Sequence, residues 1–259
     1  MTAAGGAPRP SRRGELRIVG TSVGREVERL LEMVGDTVGR RAPRVLQIGS
    51  RISVADRNEL NWRSLISRRF GPRSRFVGID LIDGSNVDRR LDISAAPRTV
   101  AAALGEEGFD LVLCCHVLEH TPDPRRAARN IEALLRRGGL AYVSTPWSQA
   151  FHAAPDDYWR FSLRGLMLLF GGLEVLSSFY SGGDVGLDVA YRLERDGRLA
   201  LEAGAGAVER GLFQLVLDHE DNRALLGRQA TERLPVSRTY LPTLFVNLVG
   251  RKPAKRPRK

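Results

Sequence analysis

The chain has 259 residues, 40 Lys and Arg against 30 Asp and Glu, two cysteines and 42% hydrophobic residues, which suits one large domain and excludes a mostly disordered chain. The net charge of +10 sits mainly in two stretches: residues 1–13 hold three arginines and no acid, and residues 251–259 hold six cations and no acid. The body is left close to neutral, no apolar run reaches the ~20 residues of a membrane span, and the N-terminus lacks the apolar middle of a signal peptide, so a cytoplasmic location is expected.

In chain order, residues 1–15 read as a disordered basic tail. Residues 16–40 carry Val23, Val27, Leu30, Leu31, Val34 and Val38 at helical spacing. RVLQIGS (44–50) is a short apolar strand ending in glycine, 55–69 a helix, RFVGID (75–80) a strand ending in Asp, and 86–93 a possible third strand. A short helix over 95–104 precedes the near-continuous apolar strand FDLVLCCHV (109–117). Cys114 and Cys115 are neighbours there and point to opposite faces, so no disulfide framework is indicated.

Residues 122–137 read as a helix, with Pro122, Asp123 and Pro124 at its start, Arg136 and Arg137 in its last turn and Gly138-Gly139 after it. Strands follow at 139–145, 173–180 and 243–250, with a helix over 162–170. Between the last two strands, Val208, Leu212, Leu215, Val216, Leu225 and Leu226 predict a helical insertion over 185–235, which would cap a site or form a dimer contact. Residues 251–259 read as a second disordered basic tail around the domain 16–250.

This alternation predicts an α/β fold: a Rossmann-like, seven-stranded, mostly parallel sheet with helices on both faces. Ligands of such sheets bind outside the carboxyl ends of the strands. A glycine at position 49 lets a ligand approach the backbone, and Asp80 can accept two hydrogen bonds from a ribose diol. By themselves the two residues read equally as an ordinary turn and a helix N-cap.

The run FDLVLCCHVLEHTPDPRRAARNIEALLRRGGLAYVSTP (109–146) resembles class I S-adenosylmethionine (SAM)-dependent methyltransferases, through Leu118-Glu119-His120, Pro122-Asp123-Pro124, Gly138-Gly139 and Thr145-Pro146. FVGIDLIDGSNVD (76–88) and AAPDDYWRFSLRGLMLLF (153–170) resemble segments of a bacterial branch of that family. The resemblance implies SAM as cofactor. Gln47, Gly49, Ser50 and Arg51 would serve its methionine part, Asp80 and Leu81 its ribose and adenine, Asp92 and Ile93 its adenine, and Cys115 and His116 would lie beneath it. Gln47 departs from the family's usual acidic residue and loses the charge that favours an ammonium.

For a hydroxyl acceptor the site needs a base, and three of the four histidines, His116, His120 and His152, fall at predicted strand ends. His152 is the stronger candidate for acceptor contact; His120 reads equally as catalytic or as a structural hydrogen bond. Asp157 would be a second base or hold Arg160, and Tyr158, Trp159 and Arg160 would wall the acceptor site. No spacing makes a closed zinc site, and no metal is expected.

The expectation is methyl transfer to a small molecule, at a hydroxyl of a sugar or glycan precursor or a secondary metabolite. The rivals are a nucleic-acid methyltransferase using the basic tails and a non-catalytic subunit of the same fold.

Overall fold

The computed structural model describes residues 23–52, 61–105, 107–149, 151–152, 155–182, 190–193, 199–201 and 244–254. The elements are α1 (Val23–Val38), β1 (Arg44–Ile48), α2 (Trp62–Phe70), β2 (Arg75–Asp80), β3 (Arg89–Arg90), α3 (Pro97–Leu104), β4 (Phe109–Cys115), α4 (Pro124–Leu134), β5 (Leu135–Ser148), α5 (Leu163–Leu169), β6 (Glu174–Gly182), β7 (Ala190–Leu193), β8 (Leu199–Leu201) and β9 (Leu244–Arg251). A 3₁₀ turn, Leu118–His120, links β4 to α4.

Among the described residues the nine strands form one sheet in the order β3-β2-β1-β4-β5-β9-β6-β7-β8. The first five are parallel; β9 runs antiparallel to both β5 and β6, and β7 and β8 continue antiparallel beyond β6. The seven expected strands are present. Two more replace helix at the start of the expected insertion, and the six apolar residues that predicted its helices lie outside the described residues.

Side-chain alternation sorts the core into two layers. Val45, Leu111, Leu113, Leu140 and Tyr142 face α1 and α2, where they meet Leu30, Val34, Trp62 and Ile66. Leu46, Ile48, Val112, Cys114, Ala141 and Val143 face the opposite layer, with Val100, Ile131 and Phe170. The apolar stripe of α1 is therefore buried against the sheet face.

The start of α4 is as the sequence predicts: Asp123 accepts from the Arg126 amide at 3.0 Å, and Pro124 takes the first helical position. Its end is not. The helix stops at Leu134 because Leu135 pairs with Phe109. Arg136 turns back to the buried Asp110, at 3.1 Å, rather than closing a helical turn.

The first residues of the expected C-terminal tail belong to the fold. Arg251 completes β9, and Lys252 donates from Nζ to the carbonyls of Ala133 (3.2 Å) and Leu135 (2.6 Å) at the end of α4. Within the sheet, buried Asn247 fixes β9 between its neighbours: its Oδ1 accepts from the Tyr142 hydroxyl at 2.9 Å and its Nδ2 donates to Ser181 Oγ at 2.8 Å.

Candidate functional site

Strand order reverses between β1 and β4, so the crevice at the switch point opens beside Gly49 and His116. Gly49 has φ +69°, and a Cβ there would overlap the Val117 side chain. Its glycine is thus required by backbone conformation and by contact with the loop after β4.

The residues after β1 are tied to a strap formed by 84–88. The Ser50 amide donates to Ile79 O at 3.0 Å, and its buried hydroxyl donates to Asn86 O at 3.0 Å. Asn86, itself left-handed at φ +71°, returns Nδ2 to Ser50 O at 2.9 Å and to Gln47 Oε1 at 3.4 Å. Asp88 holds the far end, accepting from the Gly78 amide at 2.7 Å and pairing with Arg63. Ser50 and Gln47 therefore shape the loop. Asn86 and Asp88 do so as well; their only signal in the sequence was the Gly-x-Asn-Val-Asp pattern following Asp80.

Asp80 stands at the carboxyl end of β2, accepting from the Arg51 amide at 3.1 Å and the Ile82 amide at 3.0 Å. Beside it Leu81 and Ile82 are 45% and 47% exposed, an apolar pair at a strand end with a carboxylate next to it. Asp92 is exposed, with Oδ1 accepting from the amide and hydroxyl of Ser94, each at 2.7 Å. The Ile93 side chain, expected beside the adenine, is buried in the core cluster that holds residues of α3 and α4. The apolar surface available near Asp80 comes from Leu81 and Ile82 instead.

Past β4, Cys115 is half-buried and His116 is exposed in a left-handed conformation, φ +56°. Its amide donates to Ser144 O at 2.9 Å, and its ring meets Phe245 edge-on at 4.5 Å between centroids. Burial pushes the Cys114 thiol well above its ordinary range, as suits an inert core residue.

Glu119, in the 3₁₀ turn, is fully buried. Its Oε2 accepts from Thr145 Oγ1 at 3.0 Å, whereas Oε1 has no hydrogen-bond partner. Around Oε1 stand His116 Nδ1 at 3.7 Å and His120 Nε2 at 4.0 Å. The His120 ring packs edge-on against His152, 4.9 Å between centroids.

The loop bearing His152 is bound down on this turn. Glu119 O accepts the amides of Tyr158 (2.7 Å) and Trp159 (3.3 Å), Trp159 Nε1 donates to Thr121 O at 2.9 Å, and His120 Nδ1 pairs with Asp156 O. Asp157 anchors the loop from within. It receives both Arg160 guanidinium nitrogens and the His152 amide at 2.9 Å, and lies 3.4 Å from His152 Nδ1. The Arg160 pair holds the Asp157 carboxyl well below the ordinary carboxylate range, against the opposing effect of burial.

Of the two roles expected of Asp157, the geometry is that of holding Arg160; a buried, ion-paired carboxylate is a poor base. Arg160 also donates to Gln149 O at 3.0 Å, so it braces the loop. Tyr158 and Trp159 keep exposed ring surface, as does Phe151.

The expected residues thus fall into two neighbouring groups at one sheet edge. Asp80, Leu81 and Asp92 lie over β2 and β3, and His116, His120 and His152 surround Glu119 beyond β4. From the sequence Glu119 reads equally as capping or pairing and as reacting; its place at the centre of the three histidines comes from the fold.

Comparison with known proteins adds to this geometry. A family model described as a methyltransferase domain matches residues 21–176. The chain is 35% identical over 81 residues to a ubiquinone biosynthesis O-methyltransferase of Bordetella pertussis, covering 28% of this chain and 34% of the relative. It is 46% identical over 37 residues to the protein so named in Coxiella burnetii, covering 14% and 16%. The chain therefore spans about a third or less of the length of these curated relatives. A Burkholderia thailandensis 1,6-didemethyltoxoflavin-N1-methyltransferase, solved with S-adenosylhomocysteine, superposes with TM-score 0.46 at 16% identity over 89% of this chain and 82% of the other.

Proposed function

The chain belongs to the methyltransferase-domain family, and on that premise we propose that it is a class I, SAM-dependent enzyme that transfers a methyl group from SAM to a hydroxyl of a small-molecule acceptor. The observation that carries this reading is Asp80, an exposed-edge carboxylate held by two backbone amides beside exposed Leu81 and Ile82. A nucleoside needs that pairing: a carboxylate for the ribose diol and apolar surface for the base. Asp92 stands at the end of the neighbouring strand, suited to accept from the adenine amino group.

When bound, SAM supplies a methyl already activated on a sulfonium, so the protein's task is to position the acceptor and to deal with its proton. His120 and His152 are the imidazoles oriented for that purpose, one by Asp156 O and the other by Asp157. Phe151, Tyr158 and Trp159 offer flat apolar surface for a ring or a chain of the acceptor. Sugars, glycan precursors and secondary metabolites are the first acceptors to screen, and the curated O-methyltransferase relatives support oxygen as the acceptor atom. The reading includes a cytoplasmic setting. Among the described residues no helix is long and apolar enough to cross a membrane.

Calorimetric titration with SAM and S-adenosylhomocysteine tests the reading. The wild-type chain should bind both at micromolar strength, and Asp80→Ala should weaken binding about 10- to 100-fold through loss of charged hydrogen bonds. A folded wild-type sample that binds neither would identify a non-catalytic subunit that keeps the fold.

A further inference from the structure

We propose that Glu119, His120 and His152 form a divalent transition-metal site beside the methyl-transfer crevice. One donor atom from each residue lies within 4.8 Å of the others. The carboxylate is fully buried, and one oxygen, Oε1, has no hydrogen-bond partner though it points between histidines. A buried carboxylate oxygen without a donor is costly unless a cation balances it.

The second observation is how the imidazoles are held. His120 gives Nδ1 to the backbone carbonyl of Asp156, which requires a proton on Nδ1 and leaves the Nε2 lone pair facing Glu119. His152 is oriented by the Asp157 carboxylate, itself fixed by Arg160. Metal-bound histidines are typically held this way, with the other ring nitrogen on a backbone carbonyl or a carboxylate. Two imidazoles and one carboxylate suit Zn²⁺, Mn²⁺, Fe²⁺ or Co²⁺ rather than an all-oxygen ion such as Ca²⁺. Donors around such an ion stand about 3.3–3.5 Å apart for bonds of 2.0–2.2 Å, so binding draws the three residues inward. His116, on the exposed side of the same carboxylate, can serve as a further donor.

Sequence spacing could not reveal this group, because His152 comes from a different loop than the Glu-His pair. Its use rests on the methyl-transfer reading, with the two imidazoles acting on the proton through the ion rather than as free bases: the ion's open positions would take the acceptor oxygen and lower the pKa of that hydroxyl, with the proton released to solvent. The metal site itself does not depend on that reading, and its test contains no SAM.

Tag-free full-length protein is stripped with chelator and titrated calorimetrically with Zn²⁺ and with Mn²⁺. Cobalt-loaded protein is read by its visible ligand-field absorption. One equivalent should bind at micromolar strength or tighter. Glu119→Gln, His120→Ala and His152→Ala should each weaken binding by about 100-fold, at least the loss typical of disturbing a metal site's surroundings, and should abolish the cobalt bands. His152→Ala is the decisive variant, since its half-exposed side chain can be removed without unfolding the turn; an unchanged urea midpoint of the metal-free variant shows an intact fold. A wild type that takes up no metal, or one whose uptake and cobalt spectrum persist in His120→Ala and His152→Ala, overturns the proposal. Metal binding without SAM binding would uphold the site and sink the methyl-transfer reading.

Discussion

Gly49 carries two constraints that any side chain would violate: a left-handed backbone and the Val117 side chain where a Cβ would lie. Gly49→Ala is expected to cost about 2–6 kcal/mol, summing strain of 1–3 kcal/mol with overpacking of similar size. Urea denaturation measures this, and a loss below about 1 kcal/mol would mean that the β1 loop relaxes freely. The glycine itself was legible from its place after an apolar run. Its reason was not, because Val117 reaches it only through the tertiary fold. Ile93 shows the converse. Its neighbour Asp92 fits a strand-end role by position alone, but burial is decided by α3 and α4. His120 and His152 were legible as residue types at strand ends, whereas their meeting around Glu119 depends on the loop 155–161 folding back onto the turn.

At the scale of elements, Asp110 links the α1–β1 turn, β4 and β5 at the edge away from the crevice. Buried at the start of β4, it receives Arg41 through two nitrogens at 2.6 and 2.8 Å, the Arg44 amide at 2.8 Å and Arg136 at 3.1 Å. Burial pushes its pKa up, but these donors outweigh it and the carboxyl titrates below its ordinary value. Its contribution is therefore complete above the unfolded-state pKa of about 3.9 and is lost as pH falls from there through the lower folded value. Asp110→Asn should lose about 2–4 kcal/mol at pH 7, somewhat less than the roughly 3–5 kcal/mol of a fully buried pair, because Arg41 keeps access to water. Urea titrations at pH 7 and at about pH 2 would show the variant less stable and less sensitive to acid; an unchanged acid limb would remove Asp110 as the linking group. The same contacts explain the misjudged end of α4. Arg136 in a last turn satisfies the ordinary rule for helix C-termini, and only the partner on β4 tells against it. The start of that helix was readable because Asp123 and Pro124 act locally.

For the whole molecule, alternating strands and helices were enough to predict a doubly covered sheet, since each short apolar run needs cover on both faces. The extra strands β7 and β8 escaped notice because Ala190–Leu193 and Leu199–Leu201 are brief and carry little pattern. The boundary at 250 was misplaced because six cations in nine residues read as solvent-exposed, while Lys252 is in fact attached to α4 and to the Gly138–Gly139 backbone, its own amide donating to Gly139 O at 2.9 Å. Removing residues 255–259 should leave the thermal midpoint unchanged, whereas removing 252–259 should lower stability by about 1–3 kcal/mol, the sum of a few hydrogen bonds. Equal midpoints for the two truncations would show that Lys252 contributes nothing.

The position of β9 bears on how the protein is made. It lies between β5 and β6, pairing along both, yet follows β6 by some sixty residues. On a ribosome, β5 and β6 emerge well before the strand that joins them, and their inner edges stay unpaired until 244–251 clears the exit tunnel. Closure of the sheet consequently waits on a contact between strands some sixty residues apart.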